Sequence, residues 1–430
     1  MTSSTPTAFA DGRLHFAVGI EDTFVPHTRP GHRALDEYEL TGHYDRWRQD
    51  IDLAAASGAT AIRYGVPWYR VEPAPGRFEW TWLDRVVEHL LEVGLTPIVD
   101  LMHYGTPLWL DNQSINAAYP QRVADYAAAV AGRYADLLHV YTPLNEPNIN
   151  AEWCGETGAW PPYLTGADGW LKVAVAVAHG IVLTQQAVRA ELGDRATFVH
   201  VEAGLRYDLD DGAGDTAADS VRRREQRDLL IEDLVCGLVD DAHPLLGFVL
   251  AHGVTADRLQ WHREHVARPD VMGVNYYPHL STGAVGGTGS PDVDAAPPPR
   301  GRSGVDGLDA VLRRFHQRYD APVMLTETSA RATDDQLGWL DDSVAHVLAM
   351  REGGFPVVGY TWFPLFDLVD WSYRTGTEPV AHYLEPLGAI RLVPGSAGSP
   401  ARELTPTFER FRALATAHGA GRPGDVAVAR

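Results

Sequence analysis

Two glutamates each close a short apolar run: Glu146 in YTPLNEPN and Glu327 in VMLTETS. Proline at 147 stops the first run from continuing as a hydrogen-bonded ladder and turns the chain away. A strand-end glutamate of this kind points into a pocket. A pair of opposed carboxylates is what cleavage of a glycosidic bond requires. One protonates the leaving oxygen, and the other stabilises or attacks the oxocarbenium-like centre. The two must differ in acidity: a neighbouring cation keeps one ionised, while the other's pKa rises when the first is charged and falls once it is esterified. The plainer reading of either glutamate alone is a salt bridge at the rim of a sheet.

The elements that must hold this pair follow a repeating pattern of apolar run, polar or Gly/Pro break, and helical stretch. The runs are His15 to Ile20, Ala61 to Val66, Thr96 to Leu101, His139 to Leu144, Thr197 to Val201, Val271 to Val274, Pro322 to Leu325 and Val357 to Trp362. They are continuous rather than alternating, which suits parallel strands buried on both faces. Between them, Leu83 to Val93, Gln121 to Tyr134 and Trp170 to Leu192 repeat apolar residues at helical spacing. Eight strands separated by helices predict an α/β fold, a single (β/α)8 TIM barrel with long βα loops, spanning residues 1–430 as one catalytic domain. Residues 1–12 and 421–430 read as frayed tails, and 283–301 (GAVGGTGSPDVDAAPPPRG) as a mobile loop. The ends of strands four and seven are then expected to face each other across the barrel mouth.

Composition narrows the chemistry further. The 430 residues carry 57 acidic and 36 basic side chains, a net charge of −21, which argues against nucleic-acid and anionic-membrane partners. Lys172 is the sole lysine, so any Schiff-base chemistry would have to use it. Cys154 and Cys236 are too few for a disulfide framework or a four-cysteine zinc site. The first residues show no cationic patch followed by an apolar run, and no 18-residue apolar stretch occurs, so the expected location is cytoplasmic. No glycine-rich phosphate cradle follows a strand, and no metal or organic cofactor is expected.

The strand ends, read in order, present Glu21 and Asp22, Arg63, His103, Asn145 and Glu146, Glu202, Asn275 and Tyr277, Glu327, then Asp367 and Asp370. With these in place the chain resembles the family 1 glycoside hydrolases, the retaining β-glucosidase and 6-phospho-β-glycosidase group, as a divergent member. TPLNEPN is similar to that family's T-x-NEP acid/base motif, with the threonine one position early. LTETS stands where the family has the nucleophile motif TENG, GVNYYPH resembles its NYY element, and GYTWFPLFDLVDW follows its GY-x-x-W-x-x-x-D-x-x-E-W frame. The long segment from His43 to Leu110 resembles the second and third barrel units. The likeness runs from about His15 to Phe408 and is weaker between Ala203 and Asp270.

The resemblance implies Glu146 as general acid/base and Glu327 as nucleophile. It implies Asn145 on the sugar 2-hydroxyl, His103 on another ring hydroxyl, Tyr277 as a hydrogen-bond donor to the nucleophile, and Arg63 beside it. Asn275 joins these as a substrate-site residue, and Trp362 and Trp371 as the aromatic surfaces on which sugar C–H faces pack. For Arg63, His103, Asn275 and Tyr277 the alternative is ordinary core packing with satisfied hydrogen bonds.

Four departures bear on the sugar. GIEDTFVPH lacks the family's glycone-binding glutamine, leaving Glu21 or His27 as the substitute. The platform tryptophan falls on Phe363 in ungapped register, with Trp362 one position early. The family's glutamate before the last tryptophan is Asp370, and Thr328 and Ser329 replace the asparagine and glycine after the nucleophile. The expected activity is a retaining β-glycosidase acting on a small saccharide or glycoside with non-standard glycone specificity. A transglycosylase sharing the glycosyl-enzyme intermediate and an inactive carbohydrate-binding barrel are the alternatives. A metal hydrolase would need histidine clusters at strand ends, whereas HREH (262–265) reads as an exposed helical pair. Phosphorylated substrates find no lysine after Trp371; Arg374 is the one nearby cation considered for them.

Overall fold

The computed structural model describes residues 7–9, 11–209, 215–285, 303–331, 333–395 and 400–419. The expected tails at 1–6 and 421–430, and residues 286–301 of the expected loop, lie outside the described residues. Thr7–Phe9 form a 3-10 turn with Phe9 buried, and 283–285 continue a strand, Thr282–Val285, that pairs in parallel with Arg206–Leu209.

All eight apolar runs are strands: β1 His15–Gly19, β2 Ala61–Gly65, β3 Thr96–Asp100, β4 Val140–Thr142, β5 Thr197–Ala203, β6 Val271–Asn275, β7 Val323–Glu327 and β8 Val357–Trp362. Their pairing closes an eight-stranded barrel in which neighbours around the ring are neighbours in the chain and β1 returns to β8. This is the α/β TIM barrel the strand pattern predicts. The run of buried residues in strands such as AIRYG and VMLTE explains the continuous apolar signal: both faces are covered, so neither can be polar by default. Helices follow the strands: α1 His43–Ala56, α2 Thr81–Glu92, α3 Tyr119–Arg133, α4 Gly166–Leu192, α5 Asp215–Val235, α6 Gly304–Tyr319, α7 Thr333–Glu352 and α8 Pro406–His418.

By compactness the chain divides into two units. One comprises Met1–Trp109, Leu138–Thr142 and Pro322–Arg430, and the other Leu110–Leu137 and Pro143–Ala321. The first holds β1–β4, β7 and β8. Its interior includes a buried network in which His43 bonds Asp50 (2.8 Å) and the Tyr64 hydroxyl (2.6 Å), while Arg402 grips both oxygens of Asp50 (2.8 Å each). A buried carboxylate shared by two donors in this way is costly to break on one side, by about 3–5 kcal/mol.

The second unit holds β5 and β6. Its helix α4 is long and apolar enough to cross a membrane, but most of it is buried, and it packs along α3 and α5 of the same unit. In the same unit, His200 on β5 bonds Glu232 of α5 and Gln185 of α4 (both 2.8 Å), tying two helices to the strand.

Candidate active site

In the first unit, the carboxyl ends of β1, β2, β3 and β7 converge on one charged cluster. Arg63 lies on β2 in register with Ile98, two positions before Gly65 meets Asp100. Its guanidinium is buried and bonds the Glu327 carboxylate, Asp100 at 2.8 Å and the Thr326 carbonyl at 3.5 Å. Burial alone would lower the Arg63 pKa, but the charges of Glu327 and Asp100 outweigh it and hold the cation up. Glu327 itself, 4% exposed, therefore has a permanent cation against one oxygen, which favours its ionised form.

His103, just beyond β3, faces three acids: Asp22 at 3.1 Å, Asp100 at 3.3 Å and Glu21 at 3.6 Å. Burial would strip its proton, yet Asp22, Asp100 and Glu21 together push its pKa well above the usual imidazole value, so it stands as a cation. Burial raises Asp22 to about 6 against the pull of His103. Glycine at 65 is obligatory beside it, since a Cβ there would fall 1.7 Å from an Asp22 oxygen. The backbone is strained next door: Tyr104 takes φ 85°, a conformation that side-chain-bearing residues rarely adopt. A small cleft, part of it open to solvent, runs beside Asp22 and His103 and is walled by Phe24, Tyr38, Tyr44, Trp68 and Tyr69.

The structure separates the two substitutes for the missing glutamine. Glu21 is buried against His103, whereas His27 is exposed. It also distinguishes the aromatic residues. Phe363 lies over the Arg63 guanidinium (5.4 Å) and parallel to the His103 ring (centroids 6.4 Å apart), packed so closely on Gly19 that a Cβ at 19 would meet it at 2.2 Å. Trp362 is fully buried at the end of β8, and its indole N–H finds no acceptor among the described residues. Trp371 is half-buried and edge-on to Tyr104 (5.8 Å). Asp370 caps the turn Trp371–Arg374 by accepting the Ser372 N–H at 2.9 Å. Arg374 is buried and donates to the carbonyls of Val25 and Pro26, a structural tie rather than a free anion receptor.

In the second unit, Glu146 follows β4 and precedes Pro147, which disfavours the right-handed helical conformation in the residue before it. Glu146 takes φ 43° and ψ 65°, and its N–H bonds the Val201 carbonyl at 3.0 Å. This left-handed turn costs on the order of 1 kcal/mol and lets a short helix, Pro147–Ala151, begin at once. The carboxyl is 8% exposed, and Asn275 at the end of β6 donates to its Oε1 at 2.9 Å and to Asn145 Oδ1 at 3.3 Å. Tyr277 is half-buried, with its ring edge toward His279.

Glu202 at the end of β5 accepts the N–H groups of Asn148 and Ala203. Burial drives its pKa well above the carboxylate range, and the charge of Glu146 adds to this. The HREH pair is not exposed as expected. His262 is buried within the helix Ala256–Glu264, where burial holds its pKa down to about 3, and His265 sits at the helix end, stacked on Trp261. A spacing of three puts both rings on one helical face only where the helix covers both; here it ends at Glu264, one residue before His265.

Among the described residues, Asp22, Asp100 and His103 are the group whose ligand atoms could hold a metal ion, lying within 4.8 Å of one another. Arg63 at 2.8 Å from Asp100 and the cationic state of His103 both oppose a metal there, because a protonated imidazole is not a ligand.

Residues 10–235 match the model of glycosyl hydrolase family 1, more than half of the chain. The chain belongs to glycosyl hydrolase family 1. A bifunctional β-D-glucosidase/β-D-fucosidase of Bifidobacterium breve is 27% identical over 87% of this chain and 92% of its own length. A thermostable β-glucosidase B of Thermobispora bispora is 25% identical over 77% and 74%. The family 1 β-glucosidase of Thermotoga maritima superposes with a TM-score of 0.80 at 18% identity, covering 95% of this chain and 98% of the other. The protein is thus a glycoside hydrolase by family.

Asp22 was legible only as one of two strand-end acids, and Asp100 and Glu37 were missed. Asp100 did leave a signal, a lone carboxylate closing the apolar run TPIVD. Glu152, beyond the short helix after Glu146, was missed as well. Burial raises its pKa to about 7, with the Glu156 charge adding. An acid that is protonated more readily when folded stabilises the fold at low pH and loses that contribution as pH climbs from its unfolded value near 4.5 to about 7. Stability should therefore fall by on the order of 1–3 kcal/mol across this window. Thermal unfolding of Glu152→Gln followed from pH 4.5 to 8 should show a flatter profile than wild type, and an unchanged slope would remove Glu152 as its source.

Proposed function

We propose that the whole chain acts as one catalytic barrel, a cytoplasmic retaining β-glycosidase that cleaves a small glycoside by double displacement. The observation that carries the reading is the buried Arg63–Glu327 contact, which supplies an ionised carboxylate with no other cation partner needed. Glu327 attacks the anomeric carbon as the bond to the aglycone oxygen breaks, and Glu146 delivers its proton to that oxygen. The resulting ester between Glu327 and the sugar is then displaced by water, whose proton returns to Glu146. Two inversions leave the anomer unchanged.

Asn145 and His103 take ring hydroxyls in this reading, Asn275 orients Glu146, Tyr277 donates to the nucleophile, and Glu21 and Asp370 shape the glycone end. Trp362 and Trp371 supply apolar surface. The β-glucosidase and β-fucosidase activities named for the relatives support an equatorial β-linked hexose as the first choice of substrate. Neither metal nor organic cofactor enters any step.

The test is hydrolysis of aryl β-glycosides (gluco, fuco, galacto, xylo, manno), with the anomer of the first product followed by NMR. The β-anomer should form first. First formation of the α-anomer would refute double displacement, and glycoside formation in place of free sugar when alcohol is added would mark a transglycosylase.

A further inference from the structure

The first unit gathers more negative charge at its strand ends than a neutral sugar requires. Glu21, Asp22, Asp100 and Glu327 stand against Arg63 and His103, four carboxylates for two cations. Glu37, fully buried and adjacent in charge to Glu21, is a fifth acid; burial pushes its pKa well up, and both its oxygens accept the Val369 N–H. Its oxygens are thus engaged by the backbone.

Glu21 is not satisfied in the same way. It is only 8% exposed, and its Oε1 accepts the Thr23 N–H at 2.9 Å. His103 approaches that same oxygen at 3.6 Å, too far for a hydrogen bond. The second oxygen, Oε2, accepts from no described residue. An ionised carboxylate has about four acceptor positions and no donor. Glu21 therefore keeps acceptor positions open to an incoming donor. A sugar hydroxyl would fill one position but leave the net charge of the cluster as it is. A protonated amine brings three donors and the missing positive charge together.

We propose that the preferred glycone is an amino-deoxy sugar whose ammonium group is received by Glu21. This rests on the β-glycosidase reading above and names the substrate class for the same site. The cluster assigns the amine to the glycone because Glu21, His103 and Arg63 belong with the nucleophile Glu327 in one unit. Discrimination arises in two ways: the ammonium gains charge-assisted bonds, and its N-acetyl derivative loses the charge and adds bulk.

The experiment uses the full chain and two readouts. The first is kcat/KM on 4-nitrophenyl β-D-glucoside and on the 2-, 3-, 4- and 6-amino-deoxy β-D-glucosides at pH 7. The second is calorimetric binding of the corresponding methyl glycosides to Glu327→Gln. At least one amino sugar should exceed the glucoside tenfold or more in both, and N-acetylation should erase the gain. In Glu21→Gln the amino-to-neutral ratio should drop at least tenfold, a change of preference that a merely structural residue would not produce. Equal or better binding and turnover of the neutral glucoside, or a ratio unmoved by Glu21→Gln, overturns the proposal. Absence of hydrolysis for every glycoside, with amino-selective binding retained, would instead overturn the hydrolase reading alone.

Discussion

Replacing Glu327 by glycine is expected to lower kcat on an aryl β-glycoside by roughly 10^4–10^6-fold, the scale seen when a covalent nucleophile is removed from a site that otherwise binds substrate. The side chain is almost entirely buried and its carboxylate meets Arg63 directly, so no other group of the cluster takes over attack. Asp100 remains bonded to the other arm of the guanidinium at 2.8 Å. Glycine leaves a space that a small anion can enter beside the same guanidinium. Azide or formate should therefore restore part of the rate, and with azide the product should be the α-glycosyl azide, because a single inversion replaces two. Thermal unfolding serves as the control for folding: Arg63 keeps Asp100, so the loss of stability should be below the 3–5 kcal/mol of a fully broken buried pair. Unchanged hydrolysis in the variant would sink the nucleophile assignment.

Replacing Glu146 by alanine should produce a different signature. Proton delivery matters only when the departing oxygen needs it, so kcat/KM for a methyl or saccharide aglycone should fall by about 10^2–10^4-fold. For a 2,4-dinitrophenyl aglycone the first displacement should be nearly spared, and the glycosyl-enzyme should accumulate because no base activates water. Azide should then release the β-glycosyl azide, the opposite anomer to that from the Glu327 variant. Burst kinetics and NMR of the azide adduct check this. An equal loss for both aglycones would argue that Glu146 holds substrate rather than moving a proton. Asn275 donates to Oε1 of this carboxyl at 2.9 Å, so Asn275→Ala should steepen the aglycone dependence in the same direction but less than Glu146→Ala, without abolishing turnover.

Much of the barrel was visible in the chain because a strand buried on both faces has no choice but to be apolar. Residues such as Phe16–Val18 and Val323–Leu325 are fully covered, and the same burial wrote their positions into the sequence. Helix starts follow local chemistry as well: proline stands in the first turn of α3, and Thr405 accepts the Phe408 N–H at the start of α8. Local chemistry also marked Glu146, because Pro147 constrains its neighbour wherever the chain goes.

The His262 and His265 pair shows where such reading stops. Spacing alone made both exposed on one helical face, but the packing of the second unit buries one, and the helix ends before the other.

The sequence by itself determined the eight strands, their order and the acids that close them, since apolar runs, prolines and strand-end carboxylates are properties of short segments. Only the tertiary structure decided that Glu21 rather than His27 stands at His103, that Phe363 rather than Trp362 lies over Arg63, and that Asp22 and Asp100 turn an imidazole into a cation. The physical reason is that charge state and burial depend on groups brought within a few ångströms from distant parts of the chain, and no single segment carries that information.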